Sequence, residues 1–401
     1  MTEAFLEELE QIRAAGLYRE LRRSEGPVDT WVTVDGRRVL LLCSNNYLGL
    51  ANHPALAEAA ARVARDQGVG AGASRLISGS LAIHDQLEAR LARFKNTEAA
   101  LLFPSGYHAN IGAITTLVGK GDAVFSDALN HASIIDGCRL SGARVRVYPH
   151  ADPDALRRLL RTTAARRRMI VTESIFSMDG DHAPLLDICA LSEEHQAMTL
   201  VDEAHATGVF GDSGAGLVEA LGLRDRVTVQ VGTLGKALGC GGAFVAGRRE
   251  LIALLVNRAR SFIYTTALSP PIAAAAAAAL EIVEREPERR RRLLDQAASL
   301  RARLQGLGFT IRAGDGPIIP VIAAASERAS CWSAELLRTG VFVQAIRPPT
   351  VPAGTARLRV TVMATHTDAD LAHAVDAFAA LRVDDRKARA APSVASIPDT
   401  V

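Results

Sequence analysis

The chain has 401 residues, 48% hydrophobic and 22% charged, with 46 basic and 44 acidic side chains and a formal charge of +2. So balanced a surface offers no single-sign field and argues against a nucleic-acid or membrane-surface role, while the length favours two domains over one core. The five cysteines (Cys43, Cys138, Cys189, Cys240, Cys331) are odd in number and scattered, so they read as reduced thiols of a cytoplasmic protein, with neither a disulfide framework nor a zinc site.

Residues 1–23 are charged throughout and lack the apolar segment of a signal peptide. Their apolar positions (Phe5, Leu6, Leu9, Ile12, Leu17, Leu21) recur at helical spacing and predict an amphipathic helix over 2–23. Thr30–Val34 and Arg38–Leu42, joined at Asp35-Gly36, predict a β-hairpin. Helical patterns over 54–66 and 82–95 flank a glycine-rich loop at 68–75. Between 99 and 246, short apolar strands alternate with helices: Ala99–Phe103, Ala123–Asp127, Arg144–Tyr148, Met169–Glu173, Thr199–Asp202, Val227–Val231 and Gly242–Ala246. This alternation predicts an α/β large domain, a mostly parallel seven-stranded sheet covered by helices, with ligands expected at the carboxyl ends of its strands.

Residues 250–285 read as helical, and the charged stretch Glu284–Arg292 as a solvated helix face. Beyond it, strands (Gly308–Arg312, Ile318–Ile322, Val341–Gln344, Arg357–Val362) mix with helices over 329–339 and 367–382. They predict a smaller α+β C-terminal domain completed by the N-terminal segment. The expected division is 1–45, 46–255, 256–383 and a polar, disordered tail over 384–401. No internal repeat is visible and no apolar run reaches membrane-spanning length.

Of the 46 basic side chains only Lys95, Lys120, Lys236 and Lys387 are lysines. Where charge alone suffices this chain uses arginine; chemistry that needs a deprotonatable amine can use only lysine. Lys236 follows a strand and lies among glycines and apolar residues in Val231–Gly242. The bland alternative, a surface lysine in a flexible loop, is weakened by that rarity and by the apolar surroundings that lower an amine pKa. A nucleotide P-loop fails because Ala237 follows the lysine. Thirty-four residues earlier, an apolar strand ends in Asp202, with His205 three residues on. By itself such an aspartate is often only a helix cap. Paired with Lys236 it matches what pyridoxal 5′-phosphate (PLP) requires: a carboxylate for the pyridine nitrogen and a lysine for the aldehyde. Gly106 opens a helix start suited to phosphate. His131 follows another strand, and Ser177 another. Each signal is weak alone; their convergence on successive strand ends is strong.

The segments FPSGYHAN, NHAS, ESIFSMDGD, VDEAHATG and TLGKALG resemble the α-oxoamine synthases, PLP enzymes of the aspartate-aminotransferase fold (fold type I), and the likeness spans residues 5–382. The resemblance implies that Lys236 forms the Schiff base and moves a proton at the substrate Cα. Asp202 would pair with the pyridine nitrogen, His205 with the ring's 3-oxygen, and His131 would stack on the ring and meet a thioester. Gly106, Tyr107 and Thr233 would contact the phosphate, with Thr266 reaching across from the second subunit of a homodimer, and Ser177 would fix the ring. Asn45 and Arg347 would hold the amino-acid carboxylate; Arg19 and Thr350 would line the acyl-donor path. Ile346–Arg359 is similar to the biotin-pathway branch, which joins L-alanine to pimeloyl-CoA or pimeloyl-carrier protein and releases CoA and CO2. Glycine-using relatives (glycine C-acetyltransferase, 5-aminolevulinate synthase) are the nearest alternative. Other PLP chemistry and a non-catalytic nucleotide-binding or scaffold module are more remote.

Overall fold

A computed structural model describes residues 2–390. The N-terminal helix spans Thr2–Ala14 and is shorter than the periodicity predicts. The chain turns at Gly16, whose φ of 64° suits glycine, and the Leu17 amide donates back to the Ile12 carbonyl, ending the helix. Strand β1 (Ser24–Glu25) then leads into the hairpin β2 (Trp31–Val34) and β3 (Arg37–Leu41). Asp35 and Gly36 both take positive φ, as a tight hairpin turn demands.

Helices Pro54–Gln67 and Ala82–Lys95 precede the main sheet. Its strands are β4 (Ala99–Phe103), β5 (Ala123–Asp127), β6 (Arg144–Tyr148), β7 (Arg168–Glu173), β8 (Met198–Asp202), β9 (Val229–Thr233) and β10 (Ala243–Gly247). They are ordered β4-β10-β9-β8-β7-β5-β6, with only β10 antiparallel to its neighbours. Strands β5, β9 and β10 are wholly buried, as a sheet covered on both faces requires. Gly232 is forced by packing, since an added Cβ would lie 2.3 Å from the Phe244 ring on β10. The carboxyl ends of β5, β7, β8 and β9 deliver Asp127, Glu173, Asp202 and Thr233 to one edge of the sheet.

The predicted helix over 250–285 is three pieces, Arg249–Arg258, Arg260–Ile263 and Pro270–Arg285, because Pro270 and Pro271 can only begin a helix. Helix Pro287–Gly306 follows. The charged stretch is not wholly solvated: Arg290 is buried and donates to the carbonyls of Val283 and Asp212. In the C-terminal part, β11 (Ile318–Ala324) and β14 (Ala356–Thr361) pair antiparallel, with β13 (Gln344–Ile346) outside β14. The strand expected at 308–312 reduces to one bridge, Ile311 to Val321. The strand expected over 341–344 divides: β12 (Val341–Phe342) pairs parallel with β3, joining the N-terminal hairpin to this region. Trp31 reinforces the join by donating its indole N–H to Asp370 at 2.7 Å. The last helix, Asp368–Ala390, continues past residue 384, where the sequence suggested a disordered tail; 391–401 lie outside the described residues. Among the described residues no helix is long and apolar enough to cross a membrane.

Candidate active site

Lys236 sits in the turn after β9. Gly239 adopts φ 65° and its amide donates to the Lys236 carbonyl, while its missing Cβ lets the turn press on the backbone of Leu50 and Ala51. This brings Lys236 beside the segment after β3. Its Nζ lies 2.9 Å from His205 Nε2, and His205 Nδ1 lies 2.7 Å from the Tyr47 hydroxyl. Arg359, on β14, donates to the Tyr47 hydroxyl (3.3 Å), to Asn45 Oδ1 (3.0 Å) and to the Ser177 carbonyl (2.6 Å). One continuous line of contacts therefore runs from an amine to a guanidinium.

A second line starts at Asp202, buried at the end of β8. Its Oδ2 accepts 2.7 Å from Asn110 Nδ2, which also donates to Ser133 Oγ. Ser133 in turn contacts His131 Nδ1 through both its hydroxyl (2.7 Å) and its amide (3.2 Å). The amide can only donate, so Nδ1 is the acceptor and the His131 proton belongs on Nε2. Glu173 occupies the β7 position paired with Asp202 on β8, fully buried, and accepts from the Ser177 amide at 3.2 Å.

The electrostatics follow the burial. Loss of water lowers the Lys236 amine pKa, opposed by the carboxylates of Asp202 and Glu173. Burial raises the Glu173 carboxyl, and Asp202 beside it raises it further. His205 is held well below its ordinary value, by burial first and then by the Lys236 and Arg359 charges. Desolvation lowers His131, with Asp202 pulling the other way. An amine brought toward neutrality beside neutral imidazoles suits proton transfer near pH 7.

Gly106 begins helix Gly106–Leu117, where Ser105 caps by accepting from the His108 amide. The first-turn amides of Gly106 and Tyr107 have no preceding helix carbonyl to bond, and nothing lies within 4 Å of where a Gly106 Cβ would be, so there is room for an anion. The Tyr107 hydroxyl donates instead to Asp136. Thr233 Oγ1 accepts from the Gly235 amide and steadies the lysine turn. Thr266 is exposed on the loop before Pro270.

The structure does not bring Arg347 to Asn45. Its guanidinium donates to the Gly16 carbonyl, and with Arg19 and Thr350 it lines a cavity of about 650 Å³. A second cavity of about 390 Å³, lined by Asn130, Phe176 and Val351 among others, shares Pro348 and Thr350 with the first. Sequence reasoning missed Arg359 and Tyr47. The available signal was the pair Arg357 and Arg359, two residues apart in a strand whose every position is buried.

The model of the family aminotransferase class I and II matches residues 37–378. An 8-amino-7-oxononanoate synthase of an Anaeromyxobacter species is 57% identical over 371 residues, covering 92% of each chain. The enzyme of the same name from Geobacter metallireducens is 51% identical over 384 residues, covering 95% of this chain and 98% of its own. A solved high-resolution structure of SPT with a PLP internal aldimine superposes with a TM-score of 0.89 at 33% identity, covering 94% of this chain and 96% of its own.

Proposed function

Because the chain belongs to the aminotransferase class I and II family, we propose that it is a PLP-dependent acyltransferase of biotin synthesis, working in the cytoplasm. It condenses L-alanine with pimeloyl-CoA, or a pimeloyl-carrier protein, to 8-amino-7-oxononanoate, with release of CoA or carrier and of CO2. The substrates follow the shared name of its relatives, each aligned over more than nine-tenths of this chain. The cofactor fits the residues present: an amine of lowered pKa for the aldehyde, a buried carboxylate for the ring nitrogen, and an open helix start for the phosphate.

When bound, PLP supplies the electron sink for the pair released at the amino-acid Cα. The chain's own groups do the rest. Lys236 would carry the cofactor and take and return the Cα proton, burial having lowered its amine pKa. Asp202, braced by Asn110, would keep the ring nitrogen protonated. His205 would donate to the ring's 3-oxygen, and His131 would stack on the ring and meet the thioester. Gly106, Tyr107 and Thr233 would bind the phosphate, and Ser177 would help fix the ring. Arg359 with Asn45, in place of Arg347, grips the alanine carboxylate, since its guanidinium is the one that reaches Asn45. Arg347, Arg19 and Thr350 line the acyl-donor entrance. The cavity beyond it, with Phe176 and Val351, takes the acyl chain. Thr266 completes the phosphate site of a partner subunit in a homodimer, a reading supported by the exposed Val69, Ile77 and Tyr264 around the same loop.

The observation that carries this reading is the line Lys236–His205–Tyr47–Arg359–Asn45, which holds a reactive amine and a carboxylate clamp in one site. The test crosses L-alanine and glycine with acetyl-, succinyl- and pimeloyl-CoA in an assay of free CoA release. L-alanine with pimeloyl-CoA should give the highest kcat/KM. A preference for glycine with a short acyl donor would replace this reading with that of the glycine-using branch.

A further inference from the structure

The line of contacts from Lys236 to Arg359 leaves little freedom in where its protons lie. A guanidinium only donates, so the Tyr47 oxygen is an acceptor toward Arg359. The Tyr47 proton can then go to Asn45 Oδ1, at 3.1 Å, or to His205 Nδ1, at 2.7 Å. Asn45 Oδ1 already receives an Arg359 N–H at 3.0 Å. A separation of 2.7 Å is characteristic of a hydroxyl donor, whereas an imidazole N–H donating to oxygen sits nearer 2.9–3.0 Å. The shorter contact is to His205. An N–H on His205 Nδ1 would also add a second donor to an oxygen that already faces the permanent Arg359 charge.

We propose that Tyr47 is a positioning residue that locks His205 as the neutral tautomer with its proton on Nε2. It does so by donating its own hydroxyl proton to Nδ1. The lock rests on the proposed PLP chemistry for its purpose and on geometry for its existence. Nε2 is the nitrogen that faces Lys236 at 2.9 Å, and so the nitrogen that meets whatever Lys236 carries. An N–H there can donate to an anionic ring oxygen or to the lone pair of Lys236 once that amine is deprotonated; a bare lone pair would repel both. Tyr47 is fully buried and its ionisation is disfavoured, by burial above all, so it stays a proton donor across the working range. His205 is held neutral by the same burial and by Lys236 and Arg359, and a neutral imidazole is the only form for which a tautomer is defined. Arg359 completes the device: by donating to the Tyr47 oxygen and to Asn45 Oδ1, the competing acceptor, it turns the tyrosine proton toward the histidine.

The experiment is long-range ¹⁵N NMR of the full-length holoenzyme labelled at histidine, with His205→Asn used to assign the His205 signals among the 10 histidines. The wild-type protein should show His205 Nδ1 with a lone-pair shift and Nε2 with an N–H shift. In Tyr47→Phe, which keeps the buried ring, the two shifts should move toward each other. The same variant should lose about tenfold in kcat, the worth of one well-placed hydrogen bond. Its KM for L-alanine should change less than twofold, and the pH at which the cofactor's visible band changes should move. A purely structural role would lower stability without altering shifts or band. A wild-type spectrum with the proton on Nδ1 overturns the proposal whatever the variant does, as do unchanged His205 shifts in a folded Tyr47→Phe protein. The NMR result is independent of which acyl donor is used, so failure of the lock and failure of the substrate assignment are told apart.

Discussion

Removing the Lys95 amine tests how the loop that presents His205 is held. Lys95 is wholly buried, and its Nζ contacts Glu203 Oε2 at 2.5 Å, Thr207 Oγ1 at 3.4 Å and the Ala215 carbonyl. Glu203 follows Asp202 directly and precedes His205 by two residues; its other oxygen accepts from the Val218 amide at 2.8 Å. Lys95→Met keeps the volume of the stem but leaves the Glu203 carboxylate buried without its countercharge, which costs about 3–5 kcal/mol. The assay is urea unfolding of the holoenzyme followed by circular dichroism. Adding Glu203→Leu to Lys95→Met removes the stranded charge, so the double variant should regain more than half of the loss, giving a large coupling energy in the cycle. Lys95→Arg should also destabilise, because a Cβ on Gly216 would already lie 2.5 Å from the Glu203 carboxylate and no room remains for a planar fork. A Lys95→Met protein within about 1 kcal/mol of wild type would refute the reasoning, since that is below the cost of even one unpaired buried charge.

Other outcomes are expected of the site itself. Lys236→Ala and Lys236→Arg should both abolish turnover and the cofactor's visible absorbance while the protein stays folded, because a guanidinium cannot deprotonate at working pH. Asp202→Asn should lower kcat more than tenfold, about 1.4 kcal/mol of transition-state stabilisation, with little effect on cofactor affinity measured by titration. Arg359→Lys should raise the KM for L-alanine at least tenfold, whereas Arg347→Ala should change only acyl-donor kinetics; the reverse pattern in steady-state assays would restore Arg347 to the carboxylate. Mixed dimers of Lys236→Ala with Thr266→Val should regain roughly one working site, and verified heterodimers without activity would count against a shared site. His150 bridges Asp127 and Asp181 at 3.0 and 2.7 Å, and these carboxylates raise it to about 10 against the pull of burial. Since the folded value exceeds the unfolded one of about 6.5, its stabilisation is complete below that pH and is lost as pH rises through 10. The stability difference between wild type and His150→Asn, from urea curves at several pH values, should therefore shrink from pH 6 to pH 10.

The main sheet was legible because its strands are short and mostly apolar, and each observed strand lies within two residues of its expected place. Errors fell where tertiary contacts outrank local pattern. The periodicity through Leu17 and Leu21 continues past Gly16, yet Leu21 is fully exposed and the helix has already ended. Val341–Gln344 looks like one strand but serves two sheets, β12 pairing with β3 and β13 with β14. The reading of lysine as the residue of chemistry leads to Lys236, whose Nζ lies 2.9 Å from His205, and misses Lys95. There the compact ammonium is chosen for space, a fact held by Gly216 and Glu203 far along the chain.

Arg359 was hidden for a related reason. In a strand, positions two apart share a face, so Arg357 and Arg359 point the same way, but the sequence does not say what that face meets. The chain folds β14 between β11 and β13 and turns that face toward the loop after β7. Arg357 pairs there with Asp179, and Arg359 reaches the Ser177 carbonyl two residues earlier. The antiparallel sense of these two contacts ties the C-terminal sheet to the main one beside Ser177. The buried Asp179 pair fixes the docking, and the neighbouring arginine is thereby held with its remaining N–H groups directed at Asn45 and Tyr47. A polar residue placed on an otherwise buried strand must be satisfied by something across the interface. Two such residues in register therefore point to a second surface, and that surface is the candidate active site.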